Sequence, residues 1–203
     1  MSRGLEGRKL VVATHNAGKM AEMRALFGPY NLGLVSAAEL ELPEPEETEA
    51  NFLGNARIKA NAAARATGLV ALADDSGLEI DALDGAPGVY TANWAEVGGK
   101  RDFGHAMRRT HEELSRRGAA EPWRARFRCT LVLAWPDGHE EAFEGSVDGS
   151  LVWPIRGKEG HGYDPMFLPD GSALTFAEMP ETEKNRISHR SRAFAGLIHA
   201  CFT

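Results

Sequence analysis

The sequence predicts an α/β protein on a mixed, strongly twisted sheet with flanking helices. Two observations predict it. Short apolar runs alternate with helical patterns through the N-terminal half, the signature of βαβ units. Later, Phe127, Cys129, Leu131, Leu133 and Trp135 alternate strictly and run into Pro136-Asp137-Gly138, which reads as a strand entering a hairpin. A third observation sets the organisation. No flexible linker interrupts the 203 residues, so residues 1–203 read as one domain of two lobes around a central cleft.

Taken in order, Lys9 to Thr14 is a short buried strand. Gly18 to Phe27 is a helix with Met20, Met23, Leu26 and Phe27 on its apolar side, ended by Gly28-Pro29. Gly33 to Ser36 suits a second strand. The acidic stretch Leu42 to Thr48, with two prolines, is a loop. Glu49 to Ala66 is an alanine-rich helix stopped by Gly68. Leu69 to Ala73 is a buried strand, and Leu78 to Leu83 alternates as another. Gly85-Ala86-Pro87-Gly88 is a turn. Arg101 to Arg117 is a charged helix stopped by Gly118. After the hairpin, His139 to Val147 is the returning strand. Gly145 to Asp170, rich in Gly and Pro, reads as loops around a site. Ser188 caps a terminal helix carrying Phe194, Leu197, Ile198 and Cys201 at i, i+3, i+4 and i+7.

Bulk properties exclude several classes. A net charge of −6 opposes a protein that coats nucleic acid, which needs a basic face, but it leaves room for a local phosphate pocket. No run of ~18 apolar residues marks a membrane span, and polar Met1 to Lys9 is no signal peptide. The two cysteines, Cys129 and Cys201, lack metal-ligand spacing and read as buried thiols in a reducing compartment. The expectation is a cytoplasmic protein.

The most informative stretch is Leu72-Ala73-Asp74-Asp75-Ser76-Gly77-Leu78. Two adjacent carboxylates follow a buried apolar run, where open α/β sheets place their ligands. Like charges are costly to bury without a cation, and Mg²⁺ takes oxygen ligands. A solvated Asp-Asp-Ser-Gly turn is the competing reading. Glu46-Glu47, before the alanine-rich helix, offers further carboxylates, although a glutamate there is also favoured by the helix dipole alone. Lys59 lies seven residues from Phe52 and three from Ala56, on the apolar face. It either snorkels to a rim or points into the cleft.

Thr14-His15-Asn16-Ala17-Gly18-Lys19 joins a strand to a helix. A helix N-terminus offers N–H groups and a positive dipole end to a phosphate, with Thr14 and Asn16 as donors and Lys19 as a cation. The spacing is not that of a P-loop, and a plain helix cap is the alternative. In Gly160-His161-Gly162-Tyr163-Asp164-Pro165 the glycines permit close approach to a flat ligand and the rings could stack on a base. A Gly-rich turn with an aromatic plug is the other reading. Lys184 to Arg190 is basic within an acidic chain. His189 and Arg190 stand at a helix N-terminus, where cations are unfavourable and an anionic ligand would justify them.

Singly these signals are weak, but their order and spacing are specific. Thr14 to Lys19, Glu46-Glu47-Thr48, Asn55-Ala56-x-x-Lys59-Ala60, Ala73 to Leu78, Gly85 to Tyr90, Gly162 to Pro165 and Ile187-Ser188-His189-Arg190 run through nearly the whole chain. Over roughly residues 8 to 200 the chain resembles the HAM1-like inosine/xanthosine triphosphate pyrophosphatases. The resemblance implies a two-lobed homodimer that uses Mg²⁺ to cleave ITP, dITP and XTP to the monophosphate and pyrophosphate. It implies Thr14, His15, Asn16, Ala17, Gly18 and Lys19 on the triphosphate and Asp75 as catalytic carboxylate and metal ligand. Asp74 and one or both of Glu46 and Glu47 would complete the metal site. Lys59 and Ser76 would contact substrate, His161, Gly162, Tyr163 and Asp164 would line the base pocket, and Lys184, His189 and Arg190 would bind base and phosphate. Two positions depart from the family pattern: His161 stands where Phe is common and Asn93 where Arg is frequent. A purine nucleotide-binding regulator without hydrolysis is the alternative, disfavoured because a sensor has little use for acidic pairs beside phosphates.

Overall fold

The computed structural model describes residues 3–5 and 7–202. The strands are β1 (Lys9–Val12), β2 (Gly33–Ser36), β3 (Val70–Ile80), β4 (Glu96–Val97), β5 (Lys100–Arg101), β6 (Trp123–Ala134), β7 (Glu140–Leu151) and β8 (Phe167–Pro169). The α-helices are α1 (Ala17–Phe27), α2 (Phe52–Thr67), α3 (Phe103–Arg116), α4 (Glu181–Ile187) and α5 (His189–Cys201). One six-stranded sheet has the order β2-β1-β3-β6-β7-β8. It is mixed: β1 is parallel to β2 and β3, and β7 is antiparallel to β8. The α/β class with flanking helices is therefore as the sequence predicts.

The chain forms two compact units. The first takes the chain up to Asp75, Cys129–Gly145 and the chain from Ser191; the second takes Ser76–Arg128 and Ser146–Arg190. In the first unit, strand parity sorts the core. Leu10, Val12, Val70, Leu72, Cys129, Leu131 and Leu133 face Met20, Met23 and Phe27 of α1 and Phe194 and Leu197 of α5. The intervening Val11, Ala71, Ala73, Val132 and Ala134 face Ala56, Ala60, Ala63 and Ala64 of α2. Side chains that alternate across a strand require this split. Small side chains on both surfaces let α2 lie close to the sheet. In the second unit Leu78, Ile80, Phe127, Val147, Tyr163, Phe167 and Phe176 pack with Ala106, Met107 and Leu114 of α3.

Several boundaries differ from expectation. The runs Leu69–Ala73 and Leu78–Leu83 are parts of one strand, β3, so Asp74 and Asp75 stand inside a strand and not at its end. Each is tolerated there because each meets a lysine. β7 continues to Leu151, into the region read as loops, and α4 precedes the terminal helix. Ser188 is extended and lies between α4 and α5, as the C-cap residue of α4. The β4–β5 hairpin was not foreseen. Its signal was Gly98-Gly99, both at positive φ, as a tight hairpin turn demands.

Cys129 and Cys201 are buried, unbridged thiols. Burial, reinforced by the Glu141 carboxylate, pushes the Cys201 thiol up to about 12. The thiolate is the reactive form, so neither cysteine should react with Ellman's reagent at pH 8 in the folded protein. Both should react after addition of denaturant. Fast labelling of native protein would show that the C-terminal helix opens. Among the described residues no helix is long and apolar enough to cross a membrane.

Candidate active site

Strand parity also places the two aspartates. Asp74 belongs to the face of Val70 and Leu72, which α1 covers; Asp75 belongs to the face of Ala71 and Ala73, which α2 covers. Lys19 of α1 meets Asp74, its Nζ 2.9 and 3.0 Å from the two carboxylate oxygens. Lys59 of α2 meets Asp75, Nζ to Oδ1 3.1 Å. The same Nζ lies 2.7 Å from Glu47 Oε1. Asp74, Asp75 and Lys59 are all buried.

The expected ligand set of Glu46, Glu47, Asp74 and Asp75 is therefore not assembled at one point. A period of two turns Asp74 away from Asp75, and both of its oxygens engage Lys19. Glu46 and Glu47 are both exposed, and Glu47 reaches the Asp75 side through Lys59. Among the described residues no three His, Cys, Asp or Glu side chains cluster as a metal cage. The residues present nonetheless fit Mg²⁺. Asp75 Oδ2 is buried and has no hydrogen-bond partner, so a hard oxygen donor stands open beside Glu47. Mg²⁺ usually takes one or two carboxylates and completes its shell with water and substrate phosphate.

Electrostatics sharpen this centre. Burial raises the Asp75 carboxyl above its ordinary range, and Glu47 and Asp74 push the same way against the attraction of Lys59. Burial opposes the Lys59 ammonium, but Asp75, Asp74 and Glu47 outweigh it and hold its proton more tightly than usual.

The turn from Thr14 to Lys19 is tied up more than the sequence suggested. Asn16 caps α1: its Oδ1 accepts from Gly18 N at 2.8 Å and Lys19 N at 3.1 Å. Those two amides are not open to a phosphate. The Thr14 hydroxyl accepts from Asn16 N at 3.1 Å. His15 Nε2 donates to the Leu42 carbonyl at 2.7 Å and so fastens one end of the acidic loop. The other end is held by Asn55, whose Oδ1 accepts from Glu49 N at 2.9 Å. Asn55 belongs to the Asn55-Ala56-x-x-Lys59-Ala60 motif and holds the loop in place. Its signal was an amide on the alanine face of α2, where it is 2% exposed. Together His15 and Asn55 pin the loop that carries Glu47.

In the second unit, Asp164 organises the glycine-rich turn. It is 3% exposed. Its Oδ2 accepts from His161 N at 2.6 Å and from the Lys184 ammonium. Gly160 sits at φ +79°, and a Cβ there would collide with that carboxylate. Gly162 is also left-handed, at φ +65°. The His161 ring is exposed. Tyr163 does not line a surface as expected. At 1% exposure it is the aromatic plug, edge-on to Phe103 and 3.5 Å from the Thr110 hydroxyl. Burial pushes its phenol up to about 12.

His189, the first residue of α5, stacks on Phe127 with centroids 4.9 Å apart and planes 12° apart. Phe127, a core position of the alternating strand, also fixes the plane of this imidazole. Arg190 lies nearby in sequence, its Nη2 donating to Ser76 Oγ at 3.4 Å. The site residues thus form compact groups: Lys19 with Asp74; Lys59 with Asp75 and Glu47; His161 and Lys184 on Asp164; Arg190 on Ser76.

A buried acid–base centre with an open carboxylate oxygen, held beside lysines, suits chemistry on phosphates. The model of the Ham1 family matches residues 10–200. A dITP/XTP pyrophosphatase of Ruegeria pomeroyi is 62% identical, covering 100% of this chain and 99% of its own. One from Rhodospirillum centenum is 56% identical over 98% of each. Among solved structures, a HAM1 protein from Coxiella burnetii superposes with a TM-score of 0.87 at 36% identity, covering 94% of this chain and 96% of the other. On sequence and on fold alike, this chain belongs to the Ham1 family.

Proposed function

We propose that this chain hydrolyses the non-canonical purine nucleoside triphosphates ITP, dITP and XTP to the monophosphate and pyrophosphate, removing them from the nucleotide pool. The observation that carries the reading is the buried Asp75 carboxylate, with Oδ1 on Lys59 and Oδ2 open. A carboxyl raised above its ordinary range is a stronger base than a solvated one. In this reading Asp75 takes a proton from a water whose oxygen attacks the α-phosphorus. The bond from the α-phosphorus to the bridging oxygen breaks, and pyrophosphate leaves in line with the attack. Mg²⁺, held by Asp75 and Glu47, would polarise the phosphate oxygens and offset the charge of the leaving group. Lys19 and Lys59 supply fixed positive charge on the same unit.

The second unit supplies recognition. His189, held flat by Phe127, and the amides near His161 read the 6-oxo group of the base. Adenine presents an amino donor there and would leave a donor unpaired; guanine keeps the 6-oxo group, and its added 2-amino group is rejected by a steric or unpaired-donor contact. Such a mismatch costs several orders of magnitude. Asp75 and Ser76 are consecutive in β3, so the catalytic carboxylate and the Arg190–Ser76 contact belong to one strand. The working form in this reading is a cytoplasmic homodimer.

The test is pyrophosphate release from ITP, dITP, XTP, GTP and ATP, with Mg²⁺ and with EDTA. Release from the first three, at rates at least about 100-fold above GTP and ATP and abolished by EDTA, is expected. Tight binding without release would instead favour the regulator.

A further inference from the structure

Lys59 does more than a phosphate-binding lysine needs to do. Its side chain is 10% exposed and runs along the alanine face of α2. Its ammonium bridges two acids, 2.7 Å from Glu47 and 3.1 Å from Asp75. Glu47 comes from a loop pinned by His15 and Asn55, and Asp75 from the middle of a strand. Asp75 is buried and Glu47 is partly exposed; two carboxylates that converge on one ammonium repel each other, and a positive charge between them offsets that repulsion. In this structure it is Lys59.

We propose that Lys59 is the internal counter-cation of the metal carboxylates. It holds Asp75 and Glu47 together before Mg²⁺ arrives, and it opposes Mg²⁺ binding until a triphosphate is present. The proposal rests on the Mg²⁺ reading above and deepens it. A divalent ion approaching Asp75 Oδ2 meets a carboxylate that already carries a cation on Oδ1. The two positive charges share one aspartate and repel. A triphosphate changes the balance, because its oxygens supply several negative charges to both cations at once. Lys59 therefore makes metal and nucleotide bind together, so that the metal–nucleotide complex is the species the site accepts.

The prediction has an unusual sign. Deleting a positive residue of the active site should strengthen binding of the metal cofactor. Titration calorimetry with MgCl₂ alone, without nucleotide, is the measurement. Lys59→Met should bind Mg²⁺ at least about tenfold more tightly than wild type, because a repelling charge a few ångströms away is gone. Lys59→Arg, which keeps the charge, should bind as weakly as wild type. Thermal melts give an independent readout. Without Mg²⁺ the Lys59→Met protein should melt below wild type, since two acids have lost their cation, and saturating Mg²⁺ should raise it by more than it raises wild type. Lys59→Gln serves the same purpose should the methionine variant not fold. Equal or weaker Mg²⁺ binding by the neutral variants overturns the counter-cation proposal and leaves the metal reading standing. Absence of Mg²⁺ binding in every protein, with and without ITP, overturns the metal reading and the proposal with it.

Discussion

Replacing Asp75 by asparagine is expected to lower pyrophosphate release from ITP by about 10³-fold or more, with no loss of folded stability. The two halves of this expectation have one cause. Asp75 is buried, and burial together with the nearby Glu47 and Asp74 charges raises its carboxyl above the ordinary value of 3.8. A raised carboxyl makes a good base and a poor contributor to stability. For such a group the folded state favours the protonated acid, so stability is full below pH 3.8 and declines as pH climbs through the raised folded value. At neutral pH the wild type bears that cost. Asparagine is the same size, still accepts from Lys59 through Oδ1, and carries no charge to bury. Lys59 also keeps Glu47, at 2.7 Å. Melting temperatures of the two proteins should thus coincide near pH 3.8, and the variant should equal or exceed the wild type above it. Retained turnover would remove Asp75 from the mechanism. A variant that melts well below the wild type at pH 7 would mean that the Lys59 pair stabilises more than burial costs, and the argument for a strong base would fall with it.

Much of the fold was legible because it rests on periodicity. The alternation from Phe127 to Trp135, closed by Pro136-Asp137-Gly138, specified strand and hairpin; the structure shows Trp135 N donating to the His139 carbonyl at 2.9 Å. The alanine face of α2 was equally plain, although the helix starts at Phe52 behind an Asn51 cap and not at Glu49. What stayed hidden depends on pairing across the chain. Asp-Asp-Ser-Gly favours a turn locally, whereas here it lies inside β3, between β1 and β6, with Lys19 and Lys59, distant in sequence, on its two aspartates. Neighbouring aspartates suggested one metal site, whereas strand parity sends them to different helices. Glu46 and Glu47 are chemically equal in sequence. The pinning of their loop by His15 and Asn55, which no local pattern announces, accompanies the choice of Glu47. Tyr163 illustrates the same limit. A tyrosine between Gly162 and Asp164 serves equally as pocket wall or core plug until α3, with Thr110, packs against it.

Asp164→Asn should give the largest loss of stability among single changes at the site, with a selective loss of substrate affinity. The carboxylate is 3% exposed and one oxygen accepts from both the His161 amide and the Lys184 ammonium. An asparagine can turn its oxygen toward those donors but cannot balance the charge. Lys184 is left as a mostly buried cation, its side chain 17% exposed. Breaking a buried pair costs about 3–5 kcal/mol; partial access of Lys184 to water reduces this to about 2–3 kcal/mol. For a chain of this size the melting point should fall by about 4–12 °C. The turn from Gly160 to Asp164 loses its charge-assisted anchor, so KM for ITP should rise about tenfold or more. The kcat should change far less, because Asp75 and Lys59 lie in the other compact unit. A double-mutant cycle separates charge from shape. With Lys184→Met in the same protein no cation is stranded, and Asp164→Asn should then cost at least about 1 kcal/mol less. Equal costs in both backgrounds would show that the ion pair is incidental and that the bond from the His161 amide alone shapes the turn.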